Sequence, residues 1–487
     1  MKKDEERKKL NNQDSQLNYK IESKLSSTIN YVTGDENDNK YSETPYFKGS
    51  STQNSDILDW PSTDTFPIYL NDGKTILVPK GVKRQIQRLP KKVLKKIDKD
   101  TTIAVEKCLL MVSNLSFTVF RDGNDKWRSL SSKLLHEQIK KGNDNTFIYK
   151  YVIDALKYTT NTTCPILETR KNYSGYETYE NGVISKQYKL GTTFQNHNLV
   201  NYELKTHECL EKRIKHHCVK LKLALENPIA KNLLMVYPNI TLPNKEEIKA
   251  EARKLIKKGY KSKKGKQLTF LNQKAKSYYS NSENRSFVEE NIKQFNYLTL
   301  RGYLMPIIGD YKSGGRVVDS FNLMPSWIRS MVNIDGENIV ELDYKALHPN
   351  IVMSIYGGKA KYLTHEQISN ELGIELSKVK IEHLSFFNKR ISDMKRSILF
   401  EYYSINENQM LDNIFKDKKQ CGYKITSRKL FEMEVKIMIA CVKQLNRLGV
   451  YVLYVYDALY CKESDENLVK EIMNRTIKSF NVFTNIK

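Results

Sequence analysis

The sequence predicts an α+β protein. Two observations carry that prediction. Two apolar, β-branched stretches, residues 339–342 and 450–456, each run into a lone aspartate. Helical patterns precede and separate them, the clearest being a long amphipathic one over residues 427–448. A third observation divides the chain: near Phe295 aliphatic runs lengthen and Gly and Pro begin to mark turns.

The 487 residues suffice for two or three domains. Lys and Arg total 80 against 56 Asp and Glu, a net charge of +24 that suits a polyanionic partner, nucleic acid first. A generally Lys- and Asn-rich proteome would give the same balance. No basic amphipathic helix with a clear apolar face stands out to suggest a membrane surface. The seven cysteines are scattered singly, which argues for a reducing compartment. No apolar stretch follows the charged start, and no run reads as long enough to cross a bilayer, so an intracellular, soluble protein is expected.

Residues 1–58 are polar and poor in aliphatics, too poor to offset ordering entropy, and read as a disordered arm. Residues 59–299 read as a basic, mainly helical region. It opens with a β-hairpin, residues 66–70 and 75–79 around Asn71-Asp72-Gly73. Helices are expected within 83–141 and over 205–225, with a break at Asn227-Pro228. Residues 245–266 hold ten Lys or Arg and read as a helix passing into a basic loop, either a solvated face or a phosphate-contacting element. His207, Cys209, His216, His217 and Cys218 crowd one stretch, but their spacing matches no usual zinc site. No phosphate-binding Gly-rich loop and no proofreading exonuclease pattern is evident.

The chemistry concentrates on Asp343, at the end of the strand over 339–342, and Asp457, at or near a turn within 450–461. A strand does not bury an unpaired carboxylate cheaply. Two carboxylates side by side repel unless cations lie between them, and two magnesium ions about 3.5–4 Å apart would satisfy both. Aspartates that merely cap a turn or helix are the alternative.

Residues 313–358 resemble the palm of family A DNA polymerases, and the resemblance extends from about 300 to 470. The family carries a T-G-R segment, an N-L-x-x-I-P segment with a nearby Arg, and motif A, D-Y-S-Q-I-E. Here stand Gly314-Gly315-Arg316, Phe321-Asn322-Leu323-Met324-Pro325 with Arg329, and Leu342-Asp343-Tyr344. Motif C, V-H-D-E after a long helix, is matched by Val455-Tyr456-Asp457-Ala458. Motif B, R-x3-K-x3-F-x3-Y-G, finds its candidate in residues 389–403. Taking Lys395 as the motif lysine puts Tyr403 on the family tyrosine, but Leu399 and Ile391 replace the aromatic and the arginine. Compact polymerase-like proteins of phages and mobile elements look most similar.

The resemblance implies a right-hand polymerase with an antiparallel palm sheet over 300–360 and 425–487, and small helical fingers over 361–424. The region before them would be a basic thumb or template-binding part. It implies nucleotidyl transfer from nucleoside triphosphates to a primer 3′-hydroxyl on a nucleic-acid template. Asp343 and Asp457 would bind two Mg2+, with the Tyr344 carbonyl completing one site. Lys395, with Arg390 and Arg396 as further cations, would contact the triphosphate, and Tyr403 the nucleotide. Arg316, Asn322, Arg329 and Tyr456 would lie along primer and template. His348 replaces the family glutamate at the sugar, leaving DNA or RNA open, and Ala458 removes a carboxylate beside Asp457. Family B motif A, D-x-x-S-L-Y-P-S, also fits residues 343–350, but its paired motif C aspartates are absent. A non-catalytic nucleic-acid-binding or replication-initiation protein on a decayed polymerase fold and a two-metal nuclease are the other readings.

Overall fold

The computed structural model describes residues 74–121, 126–140, 147–160, 164–177, 185–195, 198–262, 265–271, 284–299 and 306–487. The expected arm over 1–58 and the first hairpin arm over 66–70 lie outside them. All described residues belong to one unit, Thr63–Lys487. The second hairpin arm is the strand Thr75–Pro79, and it pairs with Leu199–Glu203.

These strands and the helices Val82–Gln87, Lys91–Ile97 and Thr101–Ser113 enclose an N-terminal core. Contrary to the sequence expectation, Thr101–Phe120 is long and apolar enough to cross a membrane by length and composition. Most of it is buried within this core, and it changes after Ser113 into a separate 3-10 turn, Ser116–Phe120. Two charged residues in its middle tie it to other elements. Buried Glu106 accepts hydrogen bonds from the Tyr202 hydroxyl (2.8 Å) and the Lys205 amide (2.7 Å). Lys107 pairs with Asp98 and Glu208, each at 3.0 Å. Buried charges persist when paired in this way.

The second core surrounds a five-stranded antiparallel sheet. Its order is Leu453–Val455, Ala458–Lys462, Glu337–Asp343, Asn333–Ile334 and Ile240–Thr241. Asp335 and Gly336, both at positive φ, make the tight turn between Asn333–Ile334 and Glu337–Asp343, the geometry that Asp-Gly favours. The long helix spans Ile425–Arg447 and packs against Pro228–Val236, Leu347–Tyr356 and Glu466–Ser479.

The boundary expected at 299/300 is bridged. The Ile240–Thr241 strand completes the sheet, and the Asn232 side chain bonds both the Val452 carbonyl (2.6 Å) and its amide (3.1 Å). Asn227 ends one helix, His207–Glu226, and caps the next, whose first residue is Pro228. The basic stretch begins as the helix Lys245–Lys257 behind an Asn244–Glu247 capping box.

Residues 361–424 are helical, but the helix expected over 389–403 is not continuous. It divides into Ile391–Met394 and Phe400–Asn406. Ser397 sits in the break, its hydroxyl donating to Glu382 and accepting from the Leu399 amide, and such side-chain bonds compete with helical ones. Buried Lys418 fastens this region by donating to the carbonyls of Phe387, Lys389 and Tyr423.

Candidate active site

The sheet register brings the two aspartates close together, Asp343 at the end of one strand and Asp457 in the turn just before its neighbour. Asp343 lies opposite Ala458, the residue after Asp457, and the Tyr344 amide donates to the Asp457 carbonyl at 3.4 Å. Tyr456 and Asp457 form a two-residue turn, since Val455 and Ala458 are the last pair of their hairpin. Tyr456 has φ of 57°, in the left-handed region that non-glycine residues adopt at a cost. Ala346, three residues after Asp343, has φ of 48° and opens the Leu347–Tyr356 helix. Both aspartates are therefore flanked by strained backbone, a feature that clusters at functional sites.

On the other side of the Asp343 strand end, residues 484–487 run as a strap. The Lys487 amide donates to the Asp343 carbonyl (2.8 Å), the Lys345 amide to the Asn485 carbonyl (2.8 Å), and the Thr484 hydroxyl to the Lys345 carbonyl. The Tyr344 hydroxyl donates to the Met473 carbonyl at 2.8 Å, and its ring is buried among the helices. Only the Tyr344 backbone thus remains available to a metal or nucleotide.

The long helix supplies a residue that the sequence reading did not single out. Glu434 is fully buried and accepts from Arg316 Nε at 2.7 Å and from Arg316 Nη2. His348 Nε2 lies 2.8 Å from the same carboxylate. An ionised carboxylate only accepts, so that ring nitrogen carries the proton. Burial would raise the Glu434 pKa, but the bonds from His348 and Arg316 prevail and hold it below the usual range. The Arg316 guanidinium also stands over the Phe431 ring at 3.8 Å and the Tyr456 ring at 4.9 Å. Gly314 makes this docking possible: its φ is +67°, and a Cβ there would meet Phe431 and Glu432 at 2.5–2.6 Å. One signal for Glu434 was present. It falls four residues after Leu430 and three before Ile437, on the buried stripe of the helix.

Asp457 is driven the other way. Burial, then the negative charge of Glu434, pushes its pKa up to about 6, against the opposing pull of His348 and Arg316. Buried Tyr454 feels the same charges, and its hydroxyl has no hydrogen-bond partner among the described residues. An added cation would relieve Asp457. Its carboxylate and that of Asp343 are hard oxygen donors of the kind magnesium takes. Among the described residues no three His, Cys, Asp or Glu side chains converge on a metal position. Magnesium commonly takes one or two carboxylates and completes its shell with water and substrate phosphate, so the donor set fits.

Several residues have other work than the sequence suggested. Arg316 is engaged by Glu434. The Asn322 side chain donates to the Tyr454 carbonyl at 3.0 Å, bracing the strand before Asp457. Arg329 is buried against the rings of Phe321 and Tyr460 and donates to the Asn322 carbonyl. Tyr403 is wholly buried, its hydroxyl 2.8 Å from His383 Nε2, and so does not face a nucleotide. Arg396 pairs with Asp393, and Arg390 lies over Tyr423. Lys395 is exposed, in the break between the two short helices.

No protein-family model matches the chain. No curated protein matches it either. Among solved structures it is similar to the POL domain of Pol1 from M. smegmatis, determined in complex with DNA primer-template and dNTP. The identity is 11% and the TM-score 0.32, over 57% of this chain and 72% of that one. A likeness at that level carries no argument for activity.

Proposed function

We propose that the chain is a template-directed nucleic-acid polymerase, in the first instance a DNA polymerase, with Asp343 and Asp457 as its metal-binding carboxylates. The observation that carries this reading is their placement side by side, Asp343 at its strand end and Asp457 in the turn leading into the neighbouring strand, joined by the Tyr344–Asp457 backbone contact. The segments resembling the family motifs support it, because Arg316 and His348 meet at Glu434 and Arg316 also stands over the Tyr456 ring.

Asp343, Asp457 and the Tyr344 carbonyl would hold two Mg2+. When bound, the ions would activate the primer hydroxyl and stabilise the departing pyrophosphate. Glu434 acts behind them. It fixes Arg316 and His348, so the sugar-facing role implied for His348 would be played by a ring that cannot swing. Tyr456 presents a partly exposed ring beside Asp457, suited to the primer end. Lys395, with Arg390 and Arg396, would supply positive charge to the triphosphate from the fingers.

Primer extension with Mg2+ and nucleoside triphosphates tests the proposal. Wild type should extend a labelled primer, and Asp343→Asn or Asp457→Asn should lose at least about a hundredfold in rate, roughly 2.7 kcal/mol of transition-state stabilisation. The departures from motifs B and C, with Ile391, Leu399, Tyr456 and Ala458 in place of the family residues, favour a second reading, a nucleic-acid-binding protein without catalysis. Binding without extension would decide for that one. Primer degradation without nucleotides would indicate a nuclease.

A further inference from the structure

Lys424, Arg428 and Phe431 stand at the start of the long helix, and their spacing puts them on one stripe of its surface. Each meets a ring or a cation. Tyr423, exposed just before the helix, has Lys424 Nζ 5.1 Å and the Arg390 guanidinium 5.3 Å from its ring centre. Arg428 stands 5.7 Å from the ring of exposed Tyr311, in the turn Tyr311–Ser313 that packs against the helix. Phe431 receives Arg316 at 3.8 Å, and Arg316 also reaches the ring of Tyr456, the residue before Asp457. Rings and cations thus follow one another along the helix from the region over 361–424 to the candidate active site.

Both exposed rings are held in place. Lys418 Nζ donates to the Tyr423 and Lys389 carbonyls, at 2.7 and 3.0 Å, which keeps Tyr423 beside Arg390. The Asp310 carboxylate accepts from the Ser313 amide at 3.1 Å and closes the turn that carries Tyr311. Among the described residues, Lys424, Arg428 and Arg390 form no salt bridge, whereas Lys429, next to Arg428, is paired with Asp417. Glu432, one helical turn after Arg428, is the acid nearest the stripe on this helix, so cations outnumber acids along it. A merely solvated basic face would not interleave its charges with fixed, exposed rings. The helix rises about 12 Å from Tyr423 to Phe431, room for about three nucleotides at stacked spacing.

We propose that Tyr311, Tyr423, Lys424 and Arg428 form a binding strip for single-stranded nucleic acid, the rings stacking on bases and the cations meeting phosphates. The strip leads toward Asp457, which makes the bound strand the unpaired template. That last assignment rests on the polymerase reading, whereas strand binding does not.

Fluorescence anisotropy of the full chain with a labelled single-stranded oligothymidylate, at several salt concentrations, tests it. Lys424→Gln/Arg428→Gln should bind about tenfold more weakly, the scale of a lost charge-assisted contact. The slope of log affinity against log salt should flatten by about 0.7 for each cation lost. Tyr423→Ala should also bind about tenfold more weakly, and Tyr423→Phe, which keeps the ring, should bind as wild type. Lys91→Gln/Lys95→Gln removes two exposed charges from the Lys91–Ile97 helix and should cost much less. Equal losses in the two charge pairs would assign the effect to net charge and overturn the proposal, as would unchanged binding in Tyr423→Ala. So would nucleoside triphosphate displacing the oligonucleotide at micromolar concentration in wild type but not in Lys424→Gln/Arg428→Gln, which would assign the strip to free nucleotide. Strip-dependent binding without primer extension would support the strip while refuting the polymerase reading.

Discussion

Glu434 holds two motif residues at once, and both of them were legible where Glu434 was not. Arg316 and His348 stand in short segments whose order along the chain attracts notice, whereas Glu434 looks like one charge among many on an amphipathic helix. Its place on the apolar stripe of the helix is a faint signal, and the fold shows that its side chain is inside. Glu434→Ala leaves the Arg316 guanidinium buried without its acid. We expect a loss of about 3–5 kcal/mol in urea unfolding, the usual cost of breaking a buried pair; a change below about 0.5 kcal/mol would show that the pair is dispensable. His383 makes a second prediction at this scale. Burial, then neighbouring His365, pushes its pKa down to about 3, so the folded protein keeps the ring neutral while the unfolded chain protonates it near 6.5. Its contribution is thus complete above pH 6.5 and is lost as pH falls from there toward 3, at up to about 1.4 kcal/mol per unit. His383→Gln should flatten the fall of unfolding free energy between pH 6.5 and 4. An equally steep fall in the variant would place the acid sensitivity elsewhere.

Among elements, those with strong local patterns were legible. The long helix, expected over 427–448, spans Ile425–Arg447, and the strand expected over 339–342 spans Glu337–Asp343. The strands Ile240–Thr241 and Asn333–Ile334 were not, because two residues carry no periodicity and exist through their partners. The fingers helix was misjudged for a related reason: Ser397 finds Glu382, fifteen residues away, and the helix yields. Tertiary bonds of this kind also fasten the N-terminal region to the sheet. Asn232→Ala would strand the buried amide and carbonyl of Val452, and should cost about 2–4 kcal/mol by chemical denaturation. A neutral result would mean that the Pro228–Val236 helix docks by apolar contact alone.

For the whole molecule, charge was the most accessible property and the least specific. A net charge of +24 names a class of partner without a location. If nucleic acid is that partner, log affinity should fall linearly with log salt, with a slope of about −4 or steeper for six or more phosphate contacts. A salt-independent affinity measured by anisotropy would remove the electrostatic basis of the account. Order along the chain made the α+β class legible, but not the bridging of residues 228–241 into the sheet, which depends on contacts between residues far apart in the chain, 220 positions for Asn232 and Val452.

The central claim is that Asp343 and Asp457 share metal ions. Electron paramagnetic resonance of Mn2+, titrated into the full chain with primer-template and a non-hydrolysable nucleoside triphosphate, measures this directly. The account predicts two protein-dependent ions per chain in wild type, with at least one lost in both Asp343→Asn and Asp457→Asn. Two ions retained unchanged in both variants would contradict it.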